Sequence, residues 1–375
     1  MNFTWRSGLP RLSMNHPVWT LAVIGVITAL LLTVYPTIKI NTDPEDMLPE
    51  DHPARLTNDD VKDSFYLYDM IAVAVEPADP DALNQPATFQ MLKDLVDRAR
   101  RIEGVVEQDI LSVYTTDDVE GVPGGIHVEE LLRAPPESSD KLKKLRTRVS
   151  DHPILKGMIL NEDNGAMALF IPVHEKKYSY PVRTALESFW AEQDVIDGQI
   201  HITGLPVAEE SFGVEMFYQM ATAAPMAFLI IGLIMLWFFR SFSLVAWSMC
   251  LSVVTVLWTM AGVIGLGFEV HIMISMIPIF VLPIAVVDSI HLLSDFTDRY
   301  DPDTDSRFDV MAEVFEHLFM PILFTSITSA IGFYSLLFTG IPPVRLFGAA
   351  VGTGILLAFF FTLTILPAGS SLWVP

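Results

Sequence analysis

The sequence predicts a membrane protein: six transmembrane helices, with a large α+β extracytoplasmic domain between the first and second. Three observations carry this. Of 375 residues, 51% are hydrophobic and only 18% charged, too apolar for one soluble domain and too charged for a pure helix bundle. Six segments each approach the roughly 20 apolar residues a helix needs to cross lipid hydrocarbon: Val18–Tyr35, Ala221–Phe239, Leu244–Leu266, Ile272–Leu293, Met320–Phe338 and Val344–Leu366. The charge is also uneven. From Thr37 to Met220 there are 17 Lys and Arg against 35 Asp and Glu, so −18 of the net −22 sits in that one block.

An acidic surface of this kind repels phosphate backbones and excludes nucleic acid as a partner. The single cysteine, Cys250, lies inside an apolar run, so no intrachain disulfide is available and the external domain must fold on its core alone.

Residues 1–36 are expected to hold a cytoplasmic N-terminus and the first span. Arg6 and Arg11 precede that span, Pro17 starts it, and no small-x-small cleavage pattern precedes the acidic stretch, so it reads as an uncleaved signal anchor. Loop charges set the orientation. The N-terminus, the loop at Arg240 and the loop with Arg299 and Arg307 fall on one side. The loops "GFEVH" (267–271) and "TGIPP" (339–343), without Lys or Arg, fall on the other, with Arg345 the one dissenting charge. Both termini are then cytoplasmic and block 37–220 is external. In a Gram-negative bacterium this means the inner membrane and a periplasmic domain.

Within 37–220 the chain begins with the polar, Pro-bearing stretch "NTDPEDMLPEDHPARLTNDD". "MIAVAVEP" alternates and is rich in small and β-branched residues, a strand. "PATFQMLKDLVDRARRIEGV" spaces Phe89, Leu92, Leu95, Val96 and Ile102 as a helix does, with Pro86 at its start and Gly104 as its stop. "VVEQDILSVYT" reads as a second strand. "GMILNEDNGAMALFIPV" reads as a hairpin turning at "NEDNG". "YPVRTALESFWAEQD" is a second amphipathic helix and "QIHITG" a closing strand. That order is the ferredoxin-like split βαβ arrangement. The stretch "VYTTDDVEGVPGGIHVEELLRAPPESSD", full of Gly, Pro and acids, interrupts it as an exposed insertion, followed by a helix at "KLKKLRTRVSD". Residues 221–367 then form a five-helix bundle, and 368–375 a cytoplasmic tail.

The fourth span contains Asp288, with His291 three residues on and Ser289 and Ser294 nearby. An ionised carboxylate deep in a bilayer costs a few kcal/mol on insertion scales. A carboxyl whose charged form is disfavoured by desolvation exchanges its proton nearer neutral pH. Residues three apart share a helix face, which places His291 beside Asp288. Two readings stand: a proton relay, or an interfacial group bonded to a neighbouring helix. His291 reads first as a headgroup-level residue at a helix end and second as a member of the relay. Pro278 and Pro283 in the same span are either a hinge or a static kink. In the fifth span Thr325, Ser326, Thr328 and Ser329 either bond back to their own helix or face Asp288, with Ser326 and Thr328 the candidate neighbours. Gly348, Gly352 and Gly354 in the sixth span read as close helix packing.

The order of these elements resembles the half-unit of the resistance-nodulation-division (RND) transporter superfamily: one span, an external βαββαβ-like domain, then five spans. "LPEDHP" after the first span, "ITGLPV" before the second, "VVDSIHLL" in the fourth and "TSITSAIGFYSLLF" in the fifth are similar to the bacterial "predicted exporter" branch. That branch is akin to the MMPL-like mycobacterial lipid transporters, the hopanoid transporters and the sterol-sensing Patched-like proteins. The resemblance covers essentially the whole chain. It implies a porter-type external domain, a proton-driven exporter rather than an enzyme, and the proton-relay role for Asp288. It implies no cofactor beyond the proton gradient. The substrate class it implies is hydrophobic or amphiphilic: a lipid, sterol or hopanoid. Implied partners are membrane lipids, periplasmic proteins and a second half-unit, supplied by a second copy, a C-terminal half or a partner chain. Relatives usually carry two halves in one chain and an Asp-Tyr pair after glycine. Here one half is present, and Asp288-Ser289 follows "AVV".

Other chemistries lack their signatures. "DPDTDSRFDVMAE" (301–313) alternates acids, but Ser306 stands where a calcium loop needs glycine and Ala312 where it needs glutamate. It reads as a solvated loop leading into a short amphipathic helix, "FDVMAEVFEHLF". No phosphate loop, H-E-x-x-H zinc pattern or nucleophile elbow occurs. Two further readings compete with export: a lipid- or sterol-sensing receptor, and a protein-translocation accessory akin to the paired six-span Sec proteins.

Overall fold

A computed structural model describes residues 5–372 except 42, 137, 153, 154, 156, 162–164 and 302. The described residues form two compact units, 1–55 with 214–375, and 56–213.

The first unit is helical. Six helices are long and apolar enough to cross a membrane: Pro17–Thr37, Leu205–Phe239, Phe242–Gly265, Ile272–Arg299, Arg307–Phe338 and Pro342–Leu372. The first two are almost wholly exposed, whereas the third, fourth and sixth bury half or more of their apolar windows. The third, fourth and sixth spans pack against one another, and the fifth packs on the fourth and sixth. Leu251, Ile277, Val281, Ala285, Leu292, Val351 and Phe361 fill the centre. With lipid outside as apolar as the core, close approach rather than hydrophobic exclusion decides this packing. Gly348 lies against the Phe333 carbonyl and Leu336 of the fifth span, and Gly354 against Thr259 of the third.

Several elements differ from the sequence expectation. Residues Trp5–Asn15 form a helix of their own, despite Pro10, and it packs on the closing helix Ile365–Leu372 and on the fifth span. The fourth span is broken at Met276 into Ile272–Ser275 and Ile277–Arg299. Pro278 therefore sits in the first turn of the longer helix, where its missing N–H costs nothing, and only Pro283 is interior. "FDVMAEVFEHLF" is no separate helix: Arg307–Tyr334 runs unbroken through Pro321.

The second unit is α+β. Strand β1 (Asp69–Pro77) is central, and two more strands join it after a hairpin, β2 (Asp117–Val122) and β3 (Gly125–Glu130). These are β4 (Met167–Val173) and β5 (Gly198–Thr203). The main sheet has the order β4-β1-β5, antiparallel throughout, with Val73 opposite both Leu169 and Ile202. Alternation puts Ile71, Val73 and Val75 of β1 and Leu169 and Ile171 of β4 on one buried face. They share a core with Phe89, Leu92, Leu95 and Val96 of helix Pro86–Arg100, and with Val182 and Leu186 of helix Ser179–Glu192. Phe89 is fully buried there. Phe89→Ala is expected to cost this unit about 3–5 kcal/mol, read as a lowered urea midpoint with an unchanged slope.

"VVEQDILSVYT" is not a regular strand. Glu107–Asp109 winds into a single 3-10 turn, because three successive polar residues break the alternation. The segment still lines the outer edge of β4 through bridges Val105–Val173 and Leu111–Phe170, in the place a ferredoxin-like second strand would take. In the first arm of the expected hairpin the amides of Met158 and Ile159 donate to the Leu155 carbonyl, and one bridge follows, Leu160–Met167. Three residues of its expected "NEDNG" turn, 162–164, lie outside the described residues. The insertion is exposed but ordered as the β2–β3 hairpin, turning at Gly124 with φ +98°. Arg148 on helix Ser139–Asp151 holds that hairpin by bonding Asp118 and Glu129. The polar stretch after the first span contains a further helix, Pro53–Phe65.

Candidate functional site

Asp288 lies at the middle of helix Ile277–Arg299 and is 9% exposed. The helix keeps it there because its flanks, Ala285, Val286, Leu292 and Leu293, are buried apolar residues. Ser326 of the fifth span is 3% exposed and donates from Oγ to Asp288 Oδ2 at 3.1 Å. Asp288 and Ser326 each come five residues after an interior proline, Pro283 and Pro321. Both helices therefore lack one backbone hydrogen bond within a turn or two of the contact.

The carboxyl lines a cleft of about 210 Å³ walled by the fourth, fifth and sixth spans. His291, Thr325, Ser326 and Ser329 supply its polar wall; Ile284, Val287, Ile355 and Ala358 supply the rest. His291, Thr325 and Ser329 are exposed, so the cleft is open on that side. Among the described residues no Lys or Arg lines it, and His291 is the one other ionisable group in its wall.

The expected site residues separate into three groups. Asp288, His291 and Ser326 come together at the cleft. Ser289 turns away from it: fully buried, its Oγ has no hydrogen-bond partner among the described residues. Thr328 is exposed and bonds back to the Phe324 carbonyl. Of the two prolines, Pro283 is interior to the Asp288 helix and Pro278 starts it.

One polar feature escaped the sequence reading. Ser248, Ser252, Thr255 and Thr259 are buried along one face of the third span, at spacings of four, three and four. Each hydroxyl donates to a carbonyl of its own helix. They are therefore satisfied without a partner on another helix. Their helical spacing was visible in the sequence.

No group of three or more metal-binding side chains occurs among the described residues. The arrangement offers one carboxyl, a hydroxyl that donates to it, and a cleft open on the side of His291, Thr325 and Ser329.

Residues 46–372 match the MMPL family. The chain is also similar to a protein of Methanocaldococcus jannaschii named as a membrane protein: 22% identity over 372 residues, covering 95% of this chain and 90% of that one. The family match spans most of the sequence and all but the first of the six membrane-crossing helices. The chain is a multi-pass membrane protein and belongs to the MMPL family of RND-type transporters.

Proposed function

We propose that this chain is the half-unit of a proton-driven exporter of a hydrophobic or amphiphilic molecule, with Asp288 as the group that carries the proton. The observation that carries the reading is a single carboxyl, buried within the fourth span, bonded to the fifth and lining an open polar cleft. As an anion it accepts a hydrogen bond from Ser326. Once protonated it is a neutral acid that can donate one instead, and it no longer requires water or a cation nearby. The two protonation states therefore favour different hydrogen bonding between the fourth and fifth spans. Pro283 and Pro321 supply bending points on the same two helices. Coupling follows if one arrangement opens the carboxyl to one side of the membrane and the other to the opposite side.

The exposed hydroxyls and imidazole beside Asp288 belong at a protein or water boundary rather than against acyl chains. We place the second half-unit, whether a second copy, a C-terminal half or a partner chain, on this face. In this reading the N-terminus and the loops at Arg240 and 299–307 are cytoplasmic and the α+β unit is external.

Native mass spectrometry in mild detergent tests both parts, through the oligomer observed and the amphiphile that co-purifies. Ser326→Ala is a finer probe. Hydrogen bonds to charged groups are worth about 1.5–3 kcal/mol, so its loss should slow proton-coupled flux about tenfold. Ser326→Thr should restore most of it.

A further inference from the structure

The fourth span carries a second carboxylate, Asp295, seven residues after Asp288. Seven residues are about two turns, so the two acids share one helix face. The Asp295 side chain is only 23% exposed. Arg299, four residues on, donates from Nε to its Oδ1 at 2.8 Å. The other oxygen, Oδ2, is buried and makes no hydrogen bond among the described residues. A buried carboxylate oxygen without a donor is costly.

His317 of the fifth span faces that oxygen. Its Nδ1 lies 3.8 Å from Asp295 Oδ2 and 3.4 Å from Arg299 Nη2. A guanidinium can only donate. Nδ1 therefore accepts from Arg299, and the ring's own proton sits on Nε2. The His317 side chain is 65% exposed. A small rotation of the imidazole exchanges the Arg299 contact for one to Oδ2. Two proton-exchanging groups thus stand in series, one turned inward and one reaching solvent.

Asp288 with Ser326 and Asp295 with His317 join the same two helices at two levels. The residues between these levels include Leu292, Phe319 and Ile322, all buried in one apolar cluster, which keeps the seam dry. His291 bypasses them. It lines the Asp288 cleft, three residues from Asp288 and four from Asp295, spacings that make it a neighbour of both on the helix surface. Other charges near this end are Asp298 on the fourth span and Glu313 and Glu316 on the fifth. Helix Trp5–Asn15, packed on the fifth span, carries Arg6 and Arg11. The third span and the closing helix carry no charged residue, and the sixth span carries Arg345 in its first turn.

We propose that Asp295 and His317 are the exit by which the proton of Asp288 reaches water on the side of the 299–307 loop. Asp288 gives its proton through His291 to Asp295 Oδ2. Asp295 passes it to His317 Nδ1 as the ring releases its Nε2 proton to water. One proton enters and one leaves each group, and the ring returns to its first tautomer by exchange with water. Arg299 holds Oδ1, which keeps Oδ2 aimed at the ring. The exit rests on the role proposed for Asp288.

The test is proton entry into pyranine-loaded proteoliposomes, made with the lipids co-extracted with the protein and driven by a potassium–valinomycin potential at equal pH on both sides. The rate compared is the part lost in Asp288→Asn. His317→Ala and His317→Gln should each lower it about tenfold, with unchanged melting temperatures. Imidazole, equal on both sides and compared with a sulfonate buffer of matched capacity, should restore much of the rate to His317→Ala by acting as a mobile base. It should do nothing for Asp295→Asn, whose missing acceptor is buried. A full rate in His317→Gln means that the position supplies a hydrogen bond rather than proton exchange, and overturns the proposal. So does a loss in His317→Ala that imidazole leaves unchanged. Should Asp288→Asn keep the whole rate, the role of Asp288 fails and the exit with it. A wild-type rate in His317→Ala beside an inactive Asp288→Asn overturns the exit alone.

Discussion

Asp288→Asn is expected to abolish proton-coupled flux in vesicles energised by a pH gradient, with the co-purifying amphiphile as cargo, while the protein remains folded and inserted. Asparagine has nearly the shape of aspartate and can still accept from Ser326 through its amide oxygen. Packing around residue 288 is therefore preserved, and the melting temperature should hardly move. What is lost is the exchangeable proton. Asp288→Glu retains a carboxyl on a longer arm and should keep partial flux. A receptor that only senses lipid would tolerate Asp288→Asn, and a protein-translocation accessory would show accumulated precursor proteins with no lipid phenotype. The flux assay separates export from both.

The second large effect is structural. Gly348→Leu is expected to disassemble the packing of the sixth span on the fifth. A Cβ at position 348 would lie 2.5 Å from the Phe333 carbonyl oxygen and 2.6 Å from Leu336 Cβ. The first is backbone and cannot rotate aside, so the helices must separate. Overpacking of a close interface costs about 1–3 kcal/mol and sometimes more, and here it also opens the cleft that Asp288 shares with Ile355 and Ala358 of the sixth span. The expected readout is loss of the monodisperse peak in size-exclusion chromatography, or a clearly lowered melting temperature. Gly332, with nothing within 4 Å of its would-be Cβ, is the control. Gly332→Ala should behave as wild type, although both positions are glycines of membrane-crossing helices.

The spans and Asp288 could be read from the sequence for the same reason. Length and hydropathy are one-dimensional quantities, and a carboxylate inside an apolar run stands out without any fold. Its partner could not be read. Ser326 and Thr328 are two residues apart in one hydroxyl-rich stretch, and the roughly 100° turn per residue puts one against Asp288 and the other on the outside. No local signal says which. Pro278 looked equivalent to Pro283 until the break at Met276 made one a helix start. In the α+β unit β1, β5 and both core helices were legible from alternation and helical spacing. The edge segment 105–115 was misread because its apolar residues suit a strand, while Glu107–Asp109 in the middle turns. The helix Trp5–Asn15 was hidden by Pro10 and by its shortness.

Proton-driven export requires a carboxyl at position 288 that takes up and releases a proton within the membrane. Labelling with dicyclohexylcarbodiimide, an apolar reagent that attacks protonated carboxyls, reads this directly when the adduct is mapped by mass spectrometry across a pH series. Asp288 should label, the yield should fall as pH rises and the carboxyl ionises, and Ser326→Ala should alter that profile without abolishing it. An Asp288 that stays unlabelled at every pH, in protein whose folding is confirmed by its melting temperature, would contradict the account.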